Sequence, residues 1–427
     1  MTSPTYRSER LEKAYAALSA NYRGADIDLF AVCKDKRDNN PVMAGDFMAT
    51  LGVPTHAGAA HTLPVYALFK YNDIKTVLQD AATYTSGFIA KGLGTFFGGD
   101  GLIILAMDGE THRKARGLLQ PVFTPQSVNP WRAEIERNIR DEFILPLVPH
   151  KRADLMHIGL YFPIRVIYAL IGFPQDQSND FYDYAAMGLT ILAGPQLDKA
   201  KEEESRKLAV QATTTLYERV LALVQTRRTE GATGDDLVSR LIRATFEDRS
   251  LTDHEIATFV RSLVAAGGET TTRTFSSVMT LLLTTPGLID RVRADRSLIN
   301  KLIDESVRFE PTSTVKVRQT SKDVEIGGVH IPKGALVQCV IASANRDEEA
   351  FDNPDVFDID RKPKPSFTFG FGPHMCIGQF VAKLELQIAV NAVLDLLPNV
   401  RLDPDAPAPQ IVGGQLRGAA SVPVIWD

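Results

Sequence analysis

The chain has 427 residues with a formal net charge of −5; 44% are hydrophobic and 23% charged. This is ordinary globular composition with ample apolar material for a large core. The mild negative balance and the lack of a dense basic run give no reason to expect nucleic acid, and three cysteines cannot build a disulfide framework.

No Pro/Gly/Ser linker, internal repeat or low-complexity tract divides the chain, so residues 1–427 read as a single domain, with residues 1–60 the least defined. Met1 to Phe30 is too polar to span a bilayer or serve as a secretory signal, which predicts a cytoplasmic protein without a membrane anchor. Cys33, among Lys34, Asp35 and Lys36, reads as a surface thiol. Pro64–Phe69 is the first strand-like run. Gly87 to Gly101 interleaves six glycines with Phe88, Phe96 and Phe97. Its Gly-x-Gly does not join a strand to a helix, so a nucleotide site is rejected, and an apolar flap over a pocket is expected.

Helical periodicity then covers Met107–Leu119, Trp131–Leu145, Asp154–Ile171 and Ala200–Thr226, with a break at Ala193-Gly194-Pro195 that could hinge a lid. Within the first of these, His112 and Arg116 share one helix face. Thr252-Asp253-His254-Glu255 is a capping box that opens a long helix to about Leu283. Its middle, Ala265-Ala266-Gly267-Gly268-Glu269-Thr270-Thr271-Thr272, conflicts with the helical pattern around it. Each glycine costs roughly 1 kcal/mol relative to alanine there. Such a conflict between propensity and pattern points to a functional site.

Glu305 and Arg308 lie one turn apart on the next helix. Val324–Ile326, Val329–Ile331 and Ala335–Val340 read as strands, and Cys339 within the last as inert core. Near the C-terminus stands Phe369-Gly370-Phe371-Gly372-Pro373-His374-Met375-Cys376-Ile377-Gly378, followed by a helical run, Ile377–Leu397. The glycines permit a tight loop whose peptide N–H groups point back at the sulfur. A helix N-terminus favours the ionised thiol, so Cys376 has the setting of a metal ligand. The eight histidines show no close pairs of the kind zinc needs.

The run Phe369 to Gly378 resembles the haem-binding signature of the cytochrome P-450 family, Phe-Gly-x-Gly-x-His-x-Cys-x-Gly, at every fixed position. The resemblance extends from about Asp108 to the C-terminus. It implies a mainly α-helical triangular prism with a small β-rich flank, and haem b held by the Cys376 thiolate. His112, Arg116, Arg318 and His374 are then implied to bind the haem propionates, with Phe369, Gly370, Ala266 and Gly267 also against the haem. Ala266-Gly267-Gly268-Glu269-Thr270 resembles the family's oxygen-activation motif, in which Thr270 and Glu269 would deliver protons. Many members carry aspartate where Glu269 stands. Glu305, Arg308 and Arg361 match a structural ion network that keeps the ligand loop in register.

The implied activity is haem-thiolate monooxygenation: one atom of O2 enters a C–H or C=C bond of a hydrophobic small molecule. The pocket is expected to draw on Phe88, Phe96, Phe97, Val264, Ala265, Val315 and Leu416. The chain shows no flavin, nicotinamide or iron–sulfur signature. Electrons are therefore expected from a ferredoxin and its NAD(P)H-dependent reductase, docking near Arg113 and Lys114, and the protein is expected to be a monomer. Two other readings share the haem site: a peroxide-dependent peroxygenase and a non-catalytic haem sensor or carrier. The Glu269-Thr270 pair favours the monooxygenase, because neither alternative needs a proton relay.

Overall fold

A computed structural model describes residues 7–54, 63–89, 102–174, 178–192, 194, 196, 198–246 and 248–427. Helices α1 (Glu9–Asn21) and α2 (Leu29–Asn39) precede strands β1 (Val42–Ala44) and β2 (Val65–Leu68). Then come α3 (Tyr71–Gln79), β3 (Tyr84–Thr85) and α4 (Gly109–Leu119). The helical body follows: α5 (Phe162–Ile171), α6 (Ser178–Leu192), α7 (Lys199–Thr229), α8 (Asp253–Thr284) and α9 (Leu298–Phe309). Strands β4 (Val315–Thr320) and β5 (Leu336–Val340) return to the sheet before the last long helix, α10 (Gln379–Leu396).

Helix α8 organises the body. Its 32 residues span about 48 Å at ~1.5 Å per residue. The Thr252 hydroxyl accepts from the Glu255 amide at 3.2 Å, while the Glu255 carboxylate accepts from the Thr252 amide at 2.9 Å. Two otherwise orphaned amides are thereby satisfied. From Thr271 to Leu282 every residue is buried, as befits a helical segment enclosed on all sides. Helices α5, α6, α7 and α9 provide that enclosure.

The main sheet has the order β1-β2-β5-β4-β3, with β2 and β5 parallel and the other pairs antiparallel. Strand β5 is buried at every residue, which is why it reads as an apolar run broken only by Gln338. Strand β4 lies beside it, pairing Lys316 with Cys339 and Arg318 with Val337.

Several sequence expectations need correction. The helix expected over Trp131–Leu145 becomes an α-helix to Arg137, a π-helical stretch Asn138–Ile144 and a 3-10 turn Leu145–His150. Pro146 and Pro149 remove the amide donors that would continue an α register. The run Asp154–Ile171 divides into a short strand ending at Asp154, a helical turn and α5. Strand β4 was not foreseen, because Lys316, Arg318 and Gln319 hide its alternation. Phe96, Phe97, Ala193 and Pro195 lie outside the described residues. Among the described residues no helix is long and apolar enough to cross a membrane.

Cys33 is not a surface thiol. It shares the inner face of α2 with Leu29 and Arg37 and has no accessible surface. The charges that flank it in sequence simply point the other way. Burial pushes its thiol up to about 12, and that of Cys339 likewise. At pH 8 the reactive thiolate is then on the order of one part in 10⁴. Brief iodoacetamide treatment of the folded protein at pH 8 should therefore leave Cys33 and Cys339 unmodified in peptide maps. Rapid alkylation of Cys33 would contradict the packing of α2.

Candidate active site

The loop before α10 is shaped by two left-handed glycines. Gly370 has φ 74° and Gly372 φ 68°, and a side chain on Gly372 would come within 2.5 Å of the Leu78 carbonyl. The loop closes when the Cys376 amide donates to the Phe369 carbonyl at 2.6 Å. Burial raises the Cys376 thiol, while the amides of Gly378 and Gln379 and the cations Lys316 and Arg116 pull it back. Cys376 nonetheless keeps accessible surface. A sulfur that is both reachable and desolvated lies in a concave site.

The loop rests on a hydrogen-bonded floor. Glu305 accepts from Arg308 Nε and Nη2, both at 2.7 Å, from Arg361 Nε at 3.2 Å and from the Asp358 amide at 3.0 Å. Arg308 Nη1 reaches the Asn345 carbonyl at 2.8 Å. Asn345 in turn accepts from the Phe367 amide at 2.9 Å and donates to Thr368 Oγ1 at 3.0 Å. The Thr368 hydroxyl donates back to the Val307 carbonyl of α9. The carboxylate on α9 is thus tied to the start of the ligand loop within a few bonds.

Cations and donors crowd one side of Cys376. His112 and His374 lie with ring centroids 4.3 Å apart. His374 Nε2 is 3.4 Å from Asp108 Oδ1 and 3.5 Å from Ser86 Oγ. Burial, reinforced by Arg318, His112 and Arg116, holds His374 down at about 3, and burial also lowers His112. Both rings are neutral hydrogen-bonding groups at physiological pH. His112 Nε2 is buried without a partner among the described residues. Arg318 is buried and bonds only the Val317 carbonyl, forming no ion pair among the described residues. Arg116 is within the charge field of Cys376 and donates to Gln120 at 2.9 Å. Sequence reasoning missed Lys316, two residues before Arg318. Burial drives its amine down to about 8 although the Cys376 sulfur raises it.

The face of α8 that carries Ala266 and Thr270 is exposed. Thr270 Oγ1 donates to the Ala266 carbonyl at 3.1 Å, and one turn on Thr274 Oγ1 meets Thr312 Oγ1 at 2.8 Å, close to the start of β4. The neighbouring residues do other work. A side chain on Gly267 would come within 3.4 Å of Ile167, and one on Gly268 within 3.0 Å of Ile164. These glycines let α5 lie close to α8, and Ala266 is the residue that leaves the open face bare. Glu269 does not stand beside Thr270 on that face. It is buried and paired with Arg273, which also reaches Ser19 Oγ at 2.8 Å and lies over the Tyr15 ring at 4.9 Å. The Glu-to-Arg spacing of four residues was the available signal.

The expected pocket residues also divide. Val264 and Ala265 line a small void with Tyr15, Leu189 and Glu269, on the side of α8 that faces α6, so they do not belong to the open face. Val315 is buried at the start of β4, and Leu416 bridges to Ser313 next to it. Phe88 is half-buried just after β3.

Unpaired buried donors beside a reachable sulfur suit a flat, doubly acidic cofactor with a metal at its centre, and thiolate-ligated haem has that chemistry. The class is therefore that of the haem-thiolate monooxygenases. The chain belongs to the cytochrome P-450 family, whose model matches residues 59–409. It is 33% identical over 342 residues to the cyclomarin C epoxidase CymV of Salinispora arenicola, covering 79% of this chain and 85% of that protein. It is 30% identical over 347 residues to the erythromycin C-12 hydroxylase of Saccharopolyspora erythraea, covering 80% and 84%. The crystal structure of CYP109E1 from Bacillus megaterium in complex with testosterone superposes with a TM-score of 0.79 at 25% identity, covering 94% of this chain and 100% of that one.

Replacing Arg308 by alanine leaves the Glu305 carboxylate buried with Arg361 as its remaining cation. Breaking a buried pair in this way costs roughly 3–5 kcal/mol. Denaturant unfolding of Arg308→Ala should show a loss of that size. A loss under ~1 kcal/mol would mean that the network carries no such load.

Proposed function

We propose that the Cys376 thiolate would hold haem b, that His112, Arg116, Arg318 and His374 would hold its propionates, and that Thr270 manages protons at the open face of α8. The observation that carries this reading is the set of unpartnered buried donors around a sulfur that is desolvated yet accessible. The haem, when bound, supplies the chemistry of dioxygen activation. The protein's own part is to hold, shield and protonate.

Gly378 and Gln379 offer amides to the sulfur, and such bonds tune a metal–thiolate centre. Ala266 keeps bulk away from the open face of α8. Thr270 is the hydroxyl on that face, with its own hydrogen satisfied by the Ala266 carbonyl, so its oxygen is free to accept. Glu269, one residue earlier and rotated by about 100°, is held by Arg273, so it can serve the relay only if it parts from that partner. Arg273 is therefore a positioning residue for the relay.

The substrate is inferred to be a hydrophobic small molecule. Relatives named for cyclomarin C and erythromycin, and a structural neighbour that holds testosterone, support that class. Electrons are inferred to come from a ferredoxin and an NAD(P)H-dependent reductase, to a monomeric enzyme. Arg113 and Lys114, at the exposed side of α4, are the inferred docking cations. Both pair with Glu110, at 2.7 and 3.8 Å; exposed pairs of this kind are worth little and exchange readily with a partner's charges.

With a reductase system and any substrate that turns over, Thr270→Ala should keep consuming NAD(P)H. Product formed per NAD(P)H should fall at least about 10-fold, within the range for loss of a proton-transfer group. Thr271→Ala is the control, since that hydroxyl bonds the Gly267 carbonyl at 3.1 Å on a different side of α8. An unchanged product ratio in Thr270→Ala would remove Thr270 from the relay.

A further inference from the structure

Strand β4 carries two cations on one face. Successive strand residues point to opposite sides, so Lys316 and Arg318 project together, about 6.6 Å apart along the strand. Opposite Lys316 in the ladder is Cys339, which is buried and uncharged. The Lys316 amine has no hydrogen bond and no ion pair among the described residues. Its charged surroundings are the Cys376 sulfur and Arg318. Asp108 is the carboxylate in reach of Arg318, and it also serves the Ser86 amide at 2.8 and 3.0 Å and His374 at 3.4 Å.

Two cations on a shared face, Arg318 buried and Lys316 half-buried, with the one carboxylate near Arg318 already shared with Ser86 and His374, call for an anion from outside the chain. Burying such charges uncompensated is expensive. The family resemblance implies a propionate beside Arg318 and implies nothing for Lys316.

Resting on the haem reading, we infer that Lys316 is a further haem-holding residue, its ammonium pairing with a propionate carboxylate beside Arg318. Haem would bring two propionates. Arg318, His112 and Arg116 would offer donors to them, and Lys316 would add a further positive charge on the strand face it shares with Arg318. The shared chemistry is a carboxylate, which a substrate could also bring, so the test separates the two sources.

The apoprotein is loaded with haem or with haem dimethyl ester, whose propionates carry no charge, and the rate of haem release to a scavenger apoprotein is measured. Wild type should release the ester at least about 10-fold faster than haem, a difference typical of a charge-assisted pair. In Lys316→Met that ratio should shrink severalfold, and Lys316→Arg should restore it. If the methionine variant fails to fold, Lys316→Gln is used in the same comparison, since it keeps length and polarity. An ester-to-haem ratio equal in wild type and in the uncharged variants overturns the inference. So does an unchanged ratio accompanied by weaker binding of fatty-acid carboxylates, which would assign Lys316 to substrate. Wild type that takes up no haem at all would defeat the haem reading itself, whereas normal uptake with unaltered ratios defeats only Lys316.

Discussion

The demand placed on Cys376 governs the architecture around it: a sulfur must stay ionised in a concavity that strips it of water. Burial alone works against the thiolate. The chain answers with oriented groups rather than solvent. The start of α10 aims the Gly378 and Gln379 amides at the sulfur, and Lys316 and Arg116 add positive charge. Those groups are useful only if the loop keeps its path. Hence the left-handed glycines, Gly372 pressed against α3, and the bond from the Cys376 amide to Phe369. Beneath them, Glu305 gathers Arg308, Arg361 and the Asp358 amide, so a buried charge network fixes the segment from which the loop departs. A buried pair of this type adds little net stability compared with apolar packing. It does make any other register of the loop costly.

The opposite wall obeys a different constraint, which is space. Helix α8 crosses the molecule without interruption through two glycines and a run of threonines. The threonine hydroxyls bond back to carbonyls one turn earlier, at 3.1, 3.1, 3.0 and 2.7 Å for Thr270, Thr271, Thr272 and Thr274. Such back-bonding weakens and bends helices, and the packing of α5, α6, α7 and α9 holds the segment in place. Small residues therefore serve two masters here. Gly267 and Gly268 admit α5, and Ala266 with Thr270 leaves the open face shallow. The adjacent acid is committed elsewhere, to Arg273, which also bonds Ser19 and lies over the Tyr15 ring, and so links the N-terminal helix α1 to the residue next to Thr270.

Local signals in the sequence translated well, and three-dimensional neighbours did not. The Thr252 capping box announced α8 because both of its bonds lie within four residues. The cysteine loop was legible for the same reason, since its glycines and ligand act on one another over a short span. Glu305, Arg308 and Arg361 came together as their pattern suggested, although spacing alone cannot distinguish a buried pair from a solvated one. Cys33 misled because charged neighbours in sequence occupy the other side of its helix. Strand β4 was overlooked because its inward face carries Lys316 and Arg318 where apolar residues were sought, so the feature that hid the strand is the one that matters to the site. Gly267 was expected against the haem, yet a side chain there would meet Ile167, as one on Gly268 would meet Ile164, about a hundred residues earlier in the chain.

The family membership fixes what the fold can host, and the position of the sulfur decides whether this chain hosts it. The most direct measurement is the absorption spectrum of the purified protein after reduction under carbon monoxide. Wild type should give the red-shifted Soret band that marks sulfur opposite the bound gas, and Cys376→Ser should lose it. A wild-type band at the wavelength of imidazole-ligated haem, or a serine variant with an unaltered spectrum, would contradict the account at its centre.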